Sequence, residues 1–180
     1  MNFGFDLDKV FINYPPFVPD RLINSLYVKK ERDKLIYRIP SKPEQILRKI
    51  THLSYFRPPI IENIRFINNL TRERKNGNRY LISGRFGFLK NETHNIIKKY
   101  NFEKIFTSMF FNFDNEQPHV FKNRIIDRLE LDRYVDDDLH LLKFLSQKNP
   151  KIVFFWLNKK HKKKLKNNIF AIKNLFEIID

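Results

Sequence analysis

Hydrophobic positions along this chain alternate between short extended runs and longer stretches with helical spacing. Five short apolar runs predict strands, at residues 3–5, 79–83, 104–108, 133–135 and 151–157. Between them, apolar residues three and four apart predict amphipathic helices. Residues 169–180 predict a short extended piece followed by a final amphipathic helix. Strands that alternate with helices imply crossover connections. We therefore predict an α/β protein, with a parallel five-stranded sheet covered by helices on both faces.

Prolines punctuate both ends of residues 13–57, which read as an insertion after the first strand. Two helices are predicted there by apolar groups with helical spacing, Leu22, Ile23, Leu26 and Tyr27, and then Ile46, Leu47, Ile50 and Leu53. The connection between them is a basic stretch that contains Lys29, Lys30, Arg32, Lys34 and Arg38. Ser41 followed by Glu44 fits a capping box before the second helix. We predict an α/β core of residues 1–12 and 58–180 carrying a small α-helical cap insertion.

Carboxylates follow two of the predicted strands. Asp6 and Asp8 end the first, where one could attack a substrate while the other moves a proton. An ordinary acidic turn is the alternative. Asp136 and Asp137 end the fourth strand and are suited to a hard cation such as Mg²⁺, whereas Asp138 also suits a helix N-terminus. In a parallel sheet these strand ends meet at one edge.

A hydroxyl, a flexible turn and a cation end the second strand, at Ser83, Gly84 and Arg85. These residues could hold a phosphoryl oxygen, or Ser83 could simply cap a turn. Lys122 lies near the start of a predicted helix, where the helix dipole disfavours a cation. Its position suggests a nearby anion, and a surface lysine is the alternative.

The net charge of +15, from 35 Lys and Arg against 20 Asp and Glu, should attract anionic partners. Nucleic acid is one such partner, and the basic run 159–164 is the segment that would contact it. The run shows no interleaved aromatic residues, which argues against a base-stacking platform. A solvated basic loop is the alternative, and the charge alone does not choose among anions.

The chain contains no Cys, so disulfides and thiolate chemistry are excluded. The longest compact apolar run, 152–157, is too short for a membrane helix. No basic and apolar leader precedes the first strand. We expect a cytoplasmic protein with no membrane partner. The four Gly form neither a dinucleotide nor a phosphate-loop motif, and the five His lack zinc spacing.

Four short motifs occur in order along the chain: Asp6-Leu7-Asp8-Lys9-Val10, Ser83, Lys122 and Asp136-Asp137. Together they resemble the four motifs of the haloacid dehalogenase superfamily of phosphohydrolases, and the layout is similar to its deoxyribonucleotidase-like members. The resemblance covers the whole chain and implies a Rossmann-like three-layer sandwich with a small helical cap after strand 1. Lys9 departs from the pattern, which often has glycine or a small polar residue there.

The resemblance implies phosphomonoester hydrolysis through an aspartyl-phosphate. Asp6 would be the nucleophile, and Asp8 would protonate the leaving oxygen and then activate water. Ser83 and Lys122 would contact the transferring phosphoryl oxygens. Retention of Asp8 favours a phosphatase, since superfamily members with other activities commonly lack that carboxylate.

The resemblance also implies a Mg²⁺ cofactor. Its ligands would be Asp6, the backbone carbonyl of Asp8, and Asp136 or Asp137, with Asp138 able to share the role. The substrate would be a small phosphorylated metabolite such as a nucleotide. Residues proposed to contact it are Tyr14, Phe17, Arg21, Tyr55, Arg57, Gly84 and Arg85. Two alternatives stay open: a nucleic-acid-binding protein or polynucleotide-end phosphatase, and a pseudoenzyme that uses the fold for protein contacts.

Overall fold

A computed structural model describes residues 1–16, 28–31, 34–73, 77–158, 165 and 168–179 of the chain. Its strands are β1 (Phe3–Phe5), β2 (Val28–Glu31), β3 (Lys34–Tyr37), β4 (Arg79–Ser83), β5 (Ser108–Phe111), β6 (Arg133–Asp136), β7 (Val153–Leu157) and β8 (Ile169–Ile172). The α-helices of these ranges are α1 (Lys42–Thr51), α2 (Ile61–Glu73), α3 (Lys90–Lys99), α4 (Pro118–Arg128) and α5 (Leu139–Lys148).

Six of the strands form one parallel sheet in the order β5-β4-β1-β6-β7-β8. The α/β class and the parallel sheet are confirmed, but the predicted count of five strands is wrong. The sixth strand is β8, which pairs with β7 and which we predicted only as a short extended piece. Its four residues are all apolar, but the run is short and follows a lysine-rich segment, so the sequence did not distinguish a paired strand from an isolated extended piece.

Helices cover both faces of the sheet because successive strand residues point to opposite sides. Phe5, Leu81 and Val135 face a core completed by α2 and α3. On the other face, Ile82 and Tyr134 lie in a core completed by α4 and α5. The three layers follow directly from this alternation.

The direction in which strands are added to the sheet reverses at β1. The chain places β4 and β5 on one side of β1 and then crosses to place β6, β7 and β8 on the other side. Such a switch point leaves a crevice at the carboxyl ends of the neighbouring strands, where ligands bind in open α/β sheets. The residues that follow β1, β4 and β6 therefore share one crevice.

The insertion between β1 and α2 is not purely helical in its described part. A β-hairpin, β2–β3, occupies the basic stretch that we predicted as a connection between two helices. The predicted second helix is confirmed as α1, with the Glu44 carboxylate accepting the Ser41 backbone N–H at 2.8 Å. The predicted first helix, around Leu22 to Tyr27, lies outside the described residues.

Two further predictions need correction. The third strand is β5 at Ser108–Phe111 rather than residues 104–108. Its aromatic residues run directly into an acidic loop, and for that reason the sequence pattern assigned them to the loop. The predicted final amphipathic helix is a short 3-10 helix, Leu175–Ile178. Within the described ranges, no helix combines the length and apolar character needed to cross a lipid bilayer.

Candidate active site

Parallel pairing brings the ends of β1 and β6 together. Phe5 pairs with Val135, so Asp6 and Asp136 follow side by side, and the Asp6 backbone N–H donates to the Val135 carbonyl at 2.9 Å. Both carboxylates are buried. Burial of two neighbouring carboxylates is costly unless cations or donors face them.

Lys122 supplies that cation. From α4 its ammonium donates to Asp6 Oδ1 and to Asp136 Oδ2, both at 2.7 Å. Burial alone would lower the pKa of Lys122, but the carboxylates of Asp136 and Asp6 outweigh it and hold the pKa well above its usual range. The expectation of an anion near this lysine is confirmed, and the ammonium is charged and fixed between two strand ends.

Asp137 completes an acidic group with Asp6 and Asp136, and one carboxylate oxygen from each lies within 4.8 Å of the others. Opposite ligands of an octahedral Mg²⁺ are about 4.2 Å apart, so small side-chain adjustments would bring these oxygens into range. Burial, followed by repulsion from Asp136 and Asp6, holds the pKa of Asp137 well above its usual range. A divalent cation would relieve that repulsion, and the donor set is the oxygen type that Mg²⁺ prefers.

The charged form of Asp6 is disfavoured in the same way. Burial raises the pKa of its carboxyl to about 7, with Lys122 opposing the increase and Asp136 adding to it. The Asp8 backbone N–H donates to Asp6 Oδ2 at 3.0 Å, which fixes the orientation of the carboxylate at the strand end. Asp6 is thus oriented by a donor on each oxygen.

Asp138 has a different role from its two neighbours. Its Oδ1 accepts the backbone N–H groups of His140 and Leu141, at 2.9 and 3.2 Å, and so caps α5. Its Oδ2 accepts the Tyr37 hydroxyl at 2.6 Å. These bonds make the Asp138 carboxylate a structural cap, whereas the three carboxylates that lie within 4.8 Å of one another are those of Asp6, Asp136 and Asp137.

Asp8 is held by two arginines. The Arg85 guanidinium donates from Nε to Asp8 Oδ2 at 2.7 Å and from Nη2 to Oδ1 at 2.8 Å, and Arg57 Nη2 also donates to Oδ1. Burial would raise the pKa of Asp8, but Arg85 and Arg57 overcome it and hold the pKa well below its usual range. Asp8 is therefore ionised in this structure.

Ser83 and Gly84 line the cavity together with these charged residues. Ser83 is buried at the end of β4 and borders the same cavity as Asp6 and Asp8. A Cβ on Gly84 would lie 3.4 Å from Lys122 Cε and 3.1 Å from Pro118 Cβ. The absence of a side chain at Gly84 thus lets this turn pack closely against Pro118, the first residue of the helix that carries Lys122.

Lys9 adopts a left-handed backbone with φ of 56°, a region that favours glycine. This is the position where the sequence departs from the superfamily pattern, and a turn is needed there to carry the chain away from Asp8. The Lys9 ammonium lies 3.7 Å from Asp137 Oδ2 and 4.6 Å from the centre of the Tyr14 ring. The Arg57 guanidinium lies 4.8 Å from that ring, so Tyr14 lies between two cations.

A cavity of about 1140 Å³ opens at these strand ends. The predicted site residues that border it are Tyr14, Asp6, Asp8, Ser83, Gly84, Arg85, Lys122, Asp136 and Asp137. Arg57 is fully buried behind Asp8 and contacts that carboxylate rather than the cavity. Tyr55 is 83% exposed and does not border the cavity, so its substrate contact stays a prediction that the cavity does not support.

Three predictions fall outside the described residues: the substrate contacts of Phe17 and Arg21, and the anion-binding role of the basic run 159–164.

The cavity also has walls that the sequence did not indicate. Arg48 and His52 border it from α1, and Tyr37 borders it from the hairpin. Trp156 at the end of β7 donates its indole N–H to the Asp137 carbonyl at 2.9 Å and so positions the acidic loop. No short motif marks these residues, because their contribution depends on how the insertion packs.

The chain matches no model of a known protein family, and no curated protein matches it. Its relationship to the haloacid dehalogenase superfamily therefore stays a prediction. That prediction depends on the order of the four motifs in the sequence.

Proposed function

We propose that the protein is a Mg²⁺-dependent phosphomonoester hydrolase of the haloacid dehalogenase type. The observation that supports this most strongly is the convergence of Asp6, Asp136 and Asp137 at the switch point of a parallel sheet, with Lys122 bound to the first two. Acidic groups that lie far apart in the sequence meet there with a buried cation. Structural ion-pair networks also perturb pKa values, but perturbed carboxylates with a specific charge partner in a cavity are typical of functional sites.

Asp6 is the nucleophile in this proposal. Its carboxylate would form a bond to phosphorus while the bond to the leaving oxygen breaks, giving an aspartyl-phosphate that water then hydrolyses. Lys122 and Ser83 would hold the phosphoryl oxygens, Lys122 as a fixed positive charge and Ser83 as a hydroxyl donor. Both lie on the wall of the cavity that contains Asp6.

Asp8 would donate a proton to the leaving oxygen and afterwards take one from the attacking water. Asp8 lies between Arg57 and Arg85, which hold its pKa well below the usual range, and an ionised carboxylate suits the second of these roles. For the first role, an arginine must transfer its hydrogen bonds from Asp8 to an arriving phosphate. Arg85 is the suitable residue, because it borders the cavity and its fork-shaped guanidinium matches phosphate oxygens.

Asp6 and either Asp136 or Asp137 would hold Mg²⁺, together with the Asp8 backbone carbonyl. When bound, Mg²⁺ supplies positive charge that stabilises the transferring phosphoryl group. The fit rests on the number and type of donors and on the repulsion among these carboxylates. Lys9 and Lys122 offset part of that negative charge.

The insertion at 13–57 acts as the cap of this site. Its hairpin and α1 contribute Tyr37, Arg48 and His52 to the cavity. The cavity is as large as pockets that hold whole small ligands, which are about 300–1,000 Å³. A small phosphorylated metabolite such as a nucleotide fits that volume. The nucleic-acid-binding alternative rests on net charge and on the run 159–164, and cavity geometry adds nothing to it.

Hydrolysis of an aryl phosphate, measured with and without Mg²⁺, tests the proposal. We expect activity that needs Mg²⁺ and is lost in Asp6→Asn, and a stable phosphoryl adduct on the Asp6 peptide when wild-type reactions are quenched early. The matched control is Asp127→Asn, an identical change at an exposed residue of α4. Activity that persists in Asp6→Asn, or an adduct on another residue, would remove Asp6 as the nucleophile.

A further inference from the structure

Lys9 occupies a backbone position that suits glycine better than lysine. Its φ of 56° lies in the left-handed region, where a Cβ crowds the following carbonyl oxygen. Hydrogen bonds fix this turn: the Lys9 backbone N–H donates to the Ile12 carbonyl at 2.7 Å, and the Phe11 N–H donates to the Leu7 carbonyl at 3.0 Å. Strained backbone positions of this kind cluster at functional sites, so we examined what the lysine side chain contacts.

The Lys9 side chain lies between a carboxylate and an aromatic ring. Its ammonium is 3.7 Å from Asp137 Oδ2 and 4.6 Å from the centre of the Tyr14 ring. The Lys9 and Asp137 side chains are 22% and 21% exposed, and both residues border the cavity that contains Asp6. The distance of 3.7 Å is longer than a well-formed hydrogen bond. Lys9 and Asp137 therefore form a loose ion pair within the cavity.

Two ammonium groups face the three carboxylates of the proposed magnesium site. Lys122 donates to Asp6 and Asp136, both at 2.7 Å, and Lys9 faces the third carboxylate, Asp137. If all three carboxylates are ionised, the two lysines offset two of their three negative charges. Each ammonium also repels a divalent cation at short range, and this repulsion is stronger in a partly buried site than in water.

The two lysines differ in how readily they can move. Lys122 is 4% exposed and bound to two buried carboxylates, so moving it would leave uncompensated charges in the interior. Lys9 is partly exposed, and its flexible four-carbon stem can carry the ammonium away from Asp137 while the turn stays in place. The face of the Tyr14 ring attracts a cation as well. Lys9 is therefore the ammonium group that can leave.

We propose that Lys9 competes with the metal ion for Asp137, so that its ammonium must move away from that carboxylate for Mg²⁺ to bind. This inference rests on the proposed function, which supplies the magnesium site. It gives a role to the residue at which the first motif departs from the superfamily pattern. Its consequence is that the chain binds Mg²⁺ more weakly than its three carboxylates would without Lys9.

Calorimetric titration with Mg²⁺ at physiological ionic strength tests this competition. Lys9→Met removes the charge and keeps an unbranched side chain on the same backbone. We expect Lys9→Met to bind Mg²⁺ about tenfold or more tighter than the wild type, a change of the size that neighbours of metal ligands usually cause. Lys9→Arg keeps the charge and should bind Mg²⁺ no more tightly than the wild type.

Two further variants separate the local charge from other causes. Lys173→Met removes a charge from an exposed lysine that borders the same cavity, and it should change the affinity by less than about twofold because salt screens exposed charges. Lys9→Gly removes the charge and also relieves the backbone strain, and it should bind Mg²⁺ as tightly as Lys9→Met. Thermal unfolding checks that each variant is folded, and Lys9→Gly takes the place of Lys9→Met if the latter unfolds.

Three results would overturn the competition: equal affinity of the wild type and Lys9→Met for Mg²⁺, an equal gain in Lys173→Met, or a gain in Lys9→Gly that folded Lys9→Met lacks. If phosphatase activity nevertheless needs Mg²⁺, the competition alone is rejected. Tighter Mg²⁺ binding by Lys9→Met in a protein without any phosphatase activity would reject the proposed function and leave the competition in place. Binding of Mg²⁺ by none of these proteins would reject both.

Discussion

Lys122 is the residue on which the charge balance of the site depends. Its ammonium is buried and donates to Asp6 and Asp136 at equal distances of 2.7 Å, and the Tyr134 hydroxyl donates to the same Asp136 oxygen at 2.9 Å. Without the ammonium, two buried carboxylates would face each other with their charges uncompensated. Removing one partner of a buried ion pair usually costs more stability than the pair contributed.

Replacing Lys122 with Met keeps most of the side-chain volume and removes the charge. We expect the free energy of unfolding to fall by about 3 kcal/mol at neutral pH, because Asp6 and Asp136 lose their common partner. Denaturant unfolding measures this change. Lys104→Met, at an exposed lysine, should change stability by less than about 0.5 kcal/mol. A Lys122→Met protein as stable as the wild type would show that the carboxylates are compensated by other groups.

The hairpin β2–β3 is attached to the core through Tyr37. Its backbone N–H donates to Gln117 Oε1 at 2.9 Å, and Gln117 Nε2 donates back to the Tyr37 carbonyl at 3.1 Å. The Tyr37 hydroxyl donates to Asp138, which caps α5. One residue thus joins the insertion to the first turn of α5 and to the start of α4, beside the acidic group.

Tyr37→Phe removes the hydroxyl and keeps the ring. We expect a loss of about 1 to 2 kcal/mol of stability, because a hydrogen bond to a carboxylate is lost from a mostly buried position. Hydrogen exchange should also become faster in the hairpin than in the sheet. Tyr55→Phe is the control, since Tyr55 is 83% exposed and should tolerate the change. Unchanged exchange in the hairpin would show that Gln117 alone holds it.

Helices and strands could be predicted from the sequence where the hydrophobic pattern of a segment agrees with its burial in the folded protein. Strand β4 was predicted with its exact bounds at Arg79–Ser83, because its residues are buried toward its end and Gly84 follows. Helix α1 was predicted from its apolar spacing, but that spacing indicated the wrong inward face. Periodicity identifies a helix and its apolar side, whereas the packing of the insertion decides which side faces the cavity.

At the scale of the whole molecule, a parallel sheet makes the central part of the site predictable. The side chains at the carboxyl ends of β1, β4 and β6 must meet at one edge, so Asp6, Ser83 and Asp136 could be grouped from sequence alone. The positions of Arg57 and Arg48 could not. Their positions depend on how the segments outside the sheet pack against it, and the pairing of strands does not fix that packing.

The most direct measurement is a calorimetric titration of the protein with Mg²⁺. We predict one bound ion per chain in the wild type and in Asp127→Asn, and binding weakened by at least about tenfold in Asp137→Asn or Asp136→Asn. At a hundred times its dissociation constant, the ion should stabilise the fold by about 2.7 kcal/mol. No binding by the wild type, or equal binding by all four proteins, would contradict a shared magnesium site at the ends of β1 and β6.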